Sequence, residues 1–339
     1  MSRKQIISLV SGLAIGIVLL LAWLHFNPMQ GFWFHFASLK YQWVILASLA
    51  YLSAYFIRAW RWNMLLPFNS PETGKKPGLF RTYLYAMGGN FINYLIPLRA
   101  GDVVRAWFIK RNHNIPLLKA LPSVIIDKAF DTIAILFIII LLPFLAIQVS
   151  KAMVILLSLL ALVFIVTLLL LLSAAWQKDF VIRVLNKLFW FLPSRLKTRV
   201  HAAIVLFVNE LNVFEHHPLH LLFATLLTAV GLALDGAYFY LLFVAFGIPF
   251  SFPLALFGYT LINLSYALPQ PPAQLGSNEW MMIIVFSIGF GLTKSAASAI
   301  MAFAHILTFS LMSFWGIIAF AISGKEVVLK IFKGEKIDD

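Results

Sequence analysis

Residues 97–102 read Pro97-Leu98-Arg99-Ala100-Gly101-Asp102, and they interrupt an apolar stretch, 79–112. Pro and Gly break a helix there, and the break brings two arginines and an aspartate with it. If 79–97 crossed a membrane completely, Arg99, Arg105, Lys110, Arg111 and Lys119 would all lie on the outer side. Cytoplasmic loops carry the excess of Lys and Arg, so that arrangement is disfavoured. If the stretch instead dips in from the cytoplasm and returns, all five stay inside or in a cytoplasm-facing cavity. A second broken stretch, 253–290, holds Pro269-Gln270-Pro271-Pro272-Ala273-Gln274-Leu275-Gly276.

Around these breaks the chain is a membrane protein by composition. Of 339 residues, 62% are hydrophobic and 12% charged, far from the balance of a soluble domain. Apolar runs long enough to cross a ~30 Å hydrocarbon core occupy about 6–26, 42–66, 117–147, 152–175, 219–247 and 294–322. The first reads as a span rather than a cleaved signal peptide, because no small-x-small site follows it. The net charge of +13 reads as loops that hold topology and face anionic lipid, not as a nucleic-acid surface. With no cysteine, disulfides and thiolate chemistry are excluded.

Placed this way, twenty of the 26 Lys and Arg residues lie in cytoplasmic segments or the first re-entrant loop. Lys40, Lys151 and Lys294 lie outside; Arg58, Arg61 and Lys128 lie within spans. Both termini are then cytoplasmic. The segment 176–218, with Lys178, Arg183, Lys187, Arg195, Lys197 and Arg199 among Leu, Phe and Trp, reads as an amphipathic helix on the inner leaflet. The expected fold is one all-α polytopic domain, 1–339, with about six full spans and two re-entrant helix pairs. Residues 42–147 and 219–322 then form two units of like layout and opposite orientation. Such inverted repeats with broken helices place a transport site at their interface near the midplane.

Charges at membrane depth are costly and read as functional by default. Asp127 and Asp131 share a helix face at i,i+4, and Lys128 is placed to pair with either. The alternative is a self-neutralised cluster that fixes packing. Arg58 and Arg61 read as site residues or as side chains snorkelling to the inner interface. If Gly101 opens a helix, Asp102 sits in its first turn, and Arg99 and Arg105 can grip a phosphate with paired hydrogen bonds. A loop salt bridge is the plainer reading. Glu279, with Gln270, Gln274 and Asn278, makes a polar apex at the second break, where a lone Glu must be protonated, paired or a helix cap. Asp235 is the one charge in the middle of its span and reads as an interhelical hydrogen bond. Glu215, His216, His217 and His220 match no metal spacing, so no metal and no cofactor is expected. Gly12 and Gly16 form a small-xxx-small pair, a hint of helix association.

At these same residues the chain resembles the lysylphosphatidylglycerol synthase transmembrane-region family, also described as flippase-like membrane proteins. The stretch Pro97 to Arg105 is similar to the family's P-x-R-x-G-[ED]-x-x-R. Asp127-Lys128-Ala129-Phe130-Asp131 is similar to E-R-x-x-D, and Pro269 to Glu279 to P-x-x-P-G-x-x-G-x-x-E. Asp stands for Glu at 102 and 127, Lys128 for Arg, and Ala273 where Gly is common. The aminoacyl-transferase domain fused to some members is not in this sequence, so the resemblance implies the flippase-like half, without an enzyme activity.

The combined expectation is a transporter at the cell (inner or plasma) membrane. It moves a polar, phosphate-bearing or anionic lipid head group between leaflets. Arg58, Arg61, Arg99, Asp102, Arg105, Asp127, Lys128, Asp131, Gln270 and Glu279 form or shape its cavity. Membrane lipids are the implied partners; self-association and a separate lipid-modifying enzyme stay open. The rival readings are an ion-coupled solute transporter and an accessory subunit or enzyme of lipid or envelope glycan modification.

Overall fold

A computed structural model describes residues 3–27, 32–37, 39–66, 76–96, 100–141, 162, 218–266 and 270–324. Every regular element among them is helical. In chain order they are α1 (Arg3–Phe26), α2 (Phe32–Ala37), α3 (Tyr41–Leu65), α4 (Leu79–Leu95), α5 (Ala100–His113) and α6 (Leu117–Leu141). After the undescribed stretch come α7 (Pro218–Ala245), α8 (Phe252–Ser265), α9 (Ser277–Met282) and α10 (Lys294–Ser323). A turn of 3₁₀ helix, Pro272–Gln274, precedes α9, and a π-helical segment, Ile283–Gly289, continues it. The expected span 152–175 and amphipathic segment 176–218 lie outside the described residues, apart from Leu162 and Pro218.

Three of these helices are long and apolar enough to cross a membrane: Tyr41–Leu65, Leu219–Ala245 and Lys294–Ser323. Hydrophobicity sets their length, and local chemistry sets their ends. The Thr293 hydroxyl accepts from the Ala296 N–H and starts α10, satisfying one of the first-turn donors. Asn63, near the end of α3, donates to the Pro77 carbonyl and Thr82 hydroxyl, tying α3 to the entry of α4.

α3 and α7 pack along each other, antiparallel. Lys40 N–H donates to the Ala245 carbonyl at one end, Tyr51 meets Tyr238 further in, and Gly231 lies against Ala54 and Ile57. α6 also runs antiparallel to α3, since Arg58 pairs with Asp131 and Arg61 with Asp127.

α4 and α5 form a hairpin. Asn93 meets Gly101, Gly89 meets Arg105, and Tyr85 stacks on Phe108. A Cβ on Gly101 would stand 1.8 Å from the Gly89 carbonyl oxygen, so only glycine permits this crossing. At 17 and 14 residues the two helices are about 26 and 21 Å long, each short of a ~30 Å core. α8 and the π-helical segment form a second hairpin, with Phe286 pressed against Gly258. α10 lies antiparallel to α4, with Ala319 over Gly88 and Phe91 over Gly316. α8 packs on α6, and α4 reaches the 3₁₀ turn of the second break.

α1 closes over the second break. Gly16 faces Pro271 and Leu275, Gly276 sits under Leu19 and Leu20, and Trp280 donates to the Leu19 carbonyl. The small-xxx-small signal at Gly12 and Gly16 therefore serves, at Gly16, contact within the chain.

Candidate functional site

The two breaks border a cavity of about 500 Å³, walled by α3, α4, α6, α7, α8 and α10. One wall carries the charges. Arg58 on α3 reaches both carboxylate oxygens of Asp235 on α7 through its two terminal nitrogens, and Asp131 on α6 through Nε at 3.3 Å. One turn on, Arg61 is fully buried. It donates from Nε to Asp127 Oδ1 at 2.9 Å, and from its terminal nitrogens to Asp131 Oδ1 at 2.8 Å, the Asp127 carbonyl at 2.9 Å and the Thr228 hydroxyl at 2.7 Å. Arg105 on α5 donates to the other oxygen of Asp127 at 2.9 Å and lies over the Trp62 ring at 4.1 Å.

Four helices thus meet through three arginines and three aspartates. Each carboxylate binds a guanidinium whose planar fork suits it, and buried charges persist only when paired in this way. Snorkelling does not describe Arg58 and Arg61: the first is partly covered, the second sealed, and both turn inward because the acceptors lie there. Asp127 and Asp131 do share one face, and Arg61 bridges them.

Lys128 departs from expectation. Its Nζ lies 4.0 Å from Asp102 Oδ1, and it lines the same cavity as Asp127 and Asp131. A residue one step from Asp127 is turned about 100° around the helix, which aims it at the start of α5 instead. Asp102 does occupy the first turn of α5, where it accepts from Asn93 Nδ2 at 3.0 Å, while Asn93 Oδ1 accepts the Gly101 N–H at 2.8 Å. Arg99 lies outside the described residues. Arg105 keeps one unused donor, since its buried Nε has no hydrogen-bond partner among the described residues.

Across the cavity the second break is built differently. Ala273 and Gln274 take left-handed backbone angles, φ 53° and 57°, before Gly276 at φ 76°. For residues with a Cβ this costs about 1–2 kcal/mol each. His305 on α10 holds the turn: its Nε2 lies 2.7 Å from the Ala273 carbonyl and its Nδ1 2.5 Å from Glu279 Oε1. Glu279 is therefore paired, the second of the options open to it. Gln270 donates to the Ser265 carbonyl, and Asn278 to Gln274 Oε1. Phenols line the space between the breaks: Tyr51, Tyr55, Tyr94, Tyr238, Tyr259 and Tyr266.

Sequence reasoning passes over His305, although the one ionisable side chain in the interior of a 30-residue apolar helix that opens on Lys294 is itself a signal. It also gives no hint that Asn93 and Thr228 complete the ion network. No group of three metal-ligating side chains occurs among the described residues.

A family model described as "Lysylphosphatidylglycerol synthase TM region" matches residues 8–316. A UPF0104 membrane protein of Methanocaldococcus jannaschii is 25% identical over 251 residues, 73% of this chain and 99% of that protein. A UPF0104 membrane protein of Methanothermobacter thermautotrophicus is 24% identical over 283 residues, 80% of this chain and 82% of that protein. No solved structure matches the chain.

Proposed function

The chain belongs to the lysylphosphatidylglycerol synthase TM region family, and from that membership we propose that it is a flippase-like transporter, not an enzyme, that moves a phosphate-bearing lipid head group between leaflets. The observation that carries this reading is the cavity of about 500 Å³ between the two broken stretches, with charged and phenolic side chains in its wall. Non-helical backbone at membrane depth is tolerated only when buried in protein or lining a wet cavity, and here both breaks border one.

An inverted repeat is part of the proposal, with α3 to α6 answering α7 to α10. The packing supports it. Exchanging the two sets maps α3–α7 onto itself, α4–α10 onto α8–α6, α3–α4 onto α7–α8 and α5–α6 onto α9–α10; the α6–α7 contact stands without a counterpart among the stronger ones. The antiparallel course of α3 and α7 fits opposite orientation of the units. We place both hairpins as re-entrant, both termini in the cytoplasm and the protein in the cell membrane. In agreement, Arg111 at the end of α5 lies beside Gly324 at the end of α10, on the basic side.

The cavity wall already balances its charges, so an anionic head group competes with Asp127, Asp131 and Asp235 for the guanidiniums. Transport needs that competition: binding must be favourable enough to enter and weak enough to leave. Phosphate would first meet Lys128 and Arg99 near the start of α5, then the unused donor of Arg105. The acyl chains would stay in the bilayer.

The test is reconstitution in liposomes with head-group-labelled phospholipids, aminoacylated lipids and polyprenyl phosphates. Inner-leaflet label should become exposed to an impermeant quencher faster than in empty liposomes. It should slow in Arg105→Ala and Arg99→Ala. If no lipid moves faster while a soluble substrate accumulates, a solute transporter replaces this reading.

A further inference from the structure

The second break contains a titratable pair that binding of a head group does not require. His305 Nε2 is 2.7 Å from the Ala273 carbonyl, and a carbonyl only accepts, so Nε2 carries a hydrogen. Nδ1 is 2.5 Å from Glu279 Oε1. A contact that short needs one proton between the two atoms. Either the carboxylic acid donates to Nδ1, or the imidazolium donates to the carboxylate. In both forms the pair is neutral as a unit and holds one proton more than neutral histidine beside ionised glutamate.

Loss of that proton leaves a carboxylate facing a nitrogen lone pair. The hydrogen bond becomes a repulsion, and the ring loses one of its two anchors. Glu279 is 4% exposed, and its Oε2 has no hydrogen-bond partner among the described residues. Its negative charge is therefore tied to the state of His305. Released, the ring no longer holds the Ala273 carbonyl, and Ala273 and Gln274 are free to leave their left-handed conformation. Gln270, Pro271 and Gln274 form part of the cavity wall, so the wall moves with the proton.

Among the described residues the surroundings supply no rival partner. The groups facing the pair are phenols: Tyr94 from α4, edge-on to His305 at 6.1 Å, Tyr238 from α7, bonded one turn away to Thr308, and Tyr266 at the end of α8. α1 presents Gly16 and Leu19, and α2 packs on α10 through Phe36 against Phe303. Of the charged groups on the opposite wall, Arg58 pairs with Asp131 and Asp235, Arg105 with Asp127, and Lys128 lies toward Asp102.

We propose that the Glu279–His305 pair is a proton-binding site, one proton per chain, that latches the second break and couples transport to a proton gradient. The coupling rests on the transporter reading; the latch does not. The experiment has two arms. In the first, ¹⁵N-histidine protein is titrated in lipid nanodiscs from about pH 5 to about pH 10, a range that covers perturbed histidines. The His305 signals are assigned by their loss in His305→Gln. Nδ1 should lose its proton in a single step while Nε2 keeps its own. In Glu279→Gln the amide donates to Nδ1 as the protonated acid does, so the step should vanish and the latch stay closed. A flat Nδ1 profile in the wild type, or the same step in Glu279→Gln, overturns the latch.

The second arm measures head-group exposure in the same liposome panel with and without a pH gradient. The gradient should accelerate the wild type several-fold and leave Glu279→Gln unchanged. Gradient-independent movement in the wild type overturns the coupling. A one-step titration with no lipid moving leaves the latch standing and sinks the transporter reading instead.

Discussion

The first break is held by charge and the second by shape. Around residues 96–100, α5 is fixed by Arg105 on Asp127, by Asp102 with Asn93 and Lys128, and by the glycine crossing at Gly89 and Gly101. Around residues 266–276 the described ionisable anchor is one His–Glu pair, and the backbone itself is strained at Ala273 and Gln274. Many strong contacts make the first break a fixed wall. One titratable contact across a strained turn makes the second a wall that has somewhere to go. Under the proposed function the first break would serve binding and the second would serve movement.

That contrast breaks most readily at Asp127, whose two oxygens serve Arg61 and Arg105. Asp127→Asn leaves two buried guanidiniums short of charge, and removing one member of a buried pair costs about 3–5 kcal/mol. Fluorescence-detected gel filtration after heating should show most of the folded protein lost; a thermal profile like the wild type means the charges do not hold this wall. Gly101→Ala attacks the same wall sterically. Its Cβ would meet the Gly89 carbonyl at 1.8 Å, an overpacking worth roughly 1–3 kcal/mol, and the midpoint should fall accordingly.

At the second break the sign reverses. Ala273→Gly removes the Cβ from a left-handed residue and should stabilise the protein by about 1 kcal/mol, read as a raised thermal midpoint. A fall would mean the turn relies on the methyl group. The smallest effect belongs to Lys128→Gln: its contact is 4.0 Å long and a third exposed, so stability should change by less than about 1 kcal/mol. Lipid movement, by contrast, should slow. An unchanged rate would remove Lys128 from the path of the phosphate.

Much of the frame is legible in the sequence because hydropathy and helix breakers are local signals. Runs at 42–66, 219–247 and 294–322 become Tyr41–Leu65, Pro218–Ala245 and Lys294–Ser323, and both breaks fall where Pro and Gly stand. The resemblance also explains Ala273: it occupies a left-handed position, which is why Gly suits it. Pairings are a different matter, because they depend on which faces meet. Spacing on α6 suggests Lys128 beside Asp127 and Asp131, whereas the packing of α5 turns it to Asp102. Asp235 does make the interhelical bond that its position suggests, but the sequence does not name Arg58 as the partner. Hydropathy marks 283–289 as apolar but carries no sign of its π-helical geometry.

The length of chain between Arg58 and Asp235, 177 positions, has a consequence for how the molecule is made. At roughly 5–20 residues per second, synthesis places α3 in the membrane about 10–35 s before Asp235 exists. An arginine at the centre of an inserting helix costs about 2.5–3.5 kcal/mol; Arg58 and Arg61 stand in the last third of α3 and carry a smaller cost each. Asp131, 73 positions on, is the first acceptor to reach Arg58. Nascent α3 is then expected to hold these two side chains toward the wet interface until α6 arrives, and to settle fully when α7 closes the cluster. A ribosome-stalled chain ending before α6 should leave α3 extractable by alkaline carbonate, and one extending beyond α7 should hold it fast.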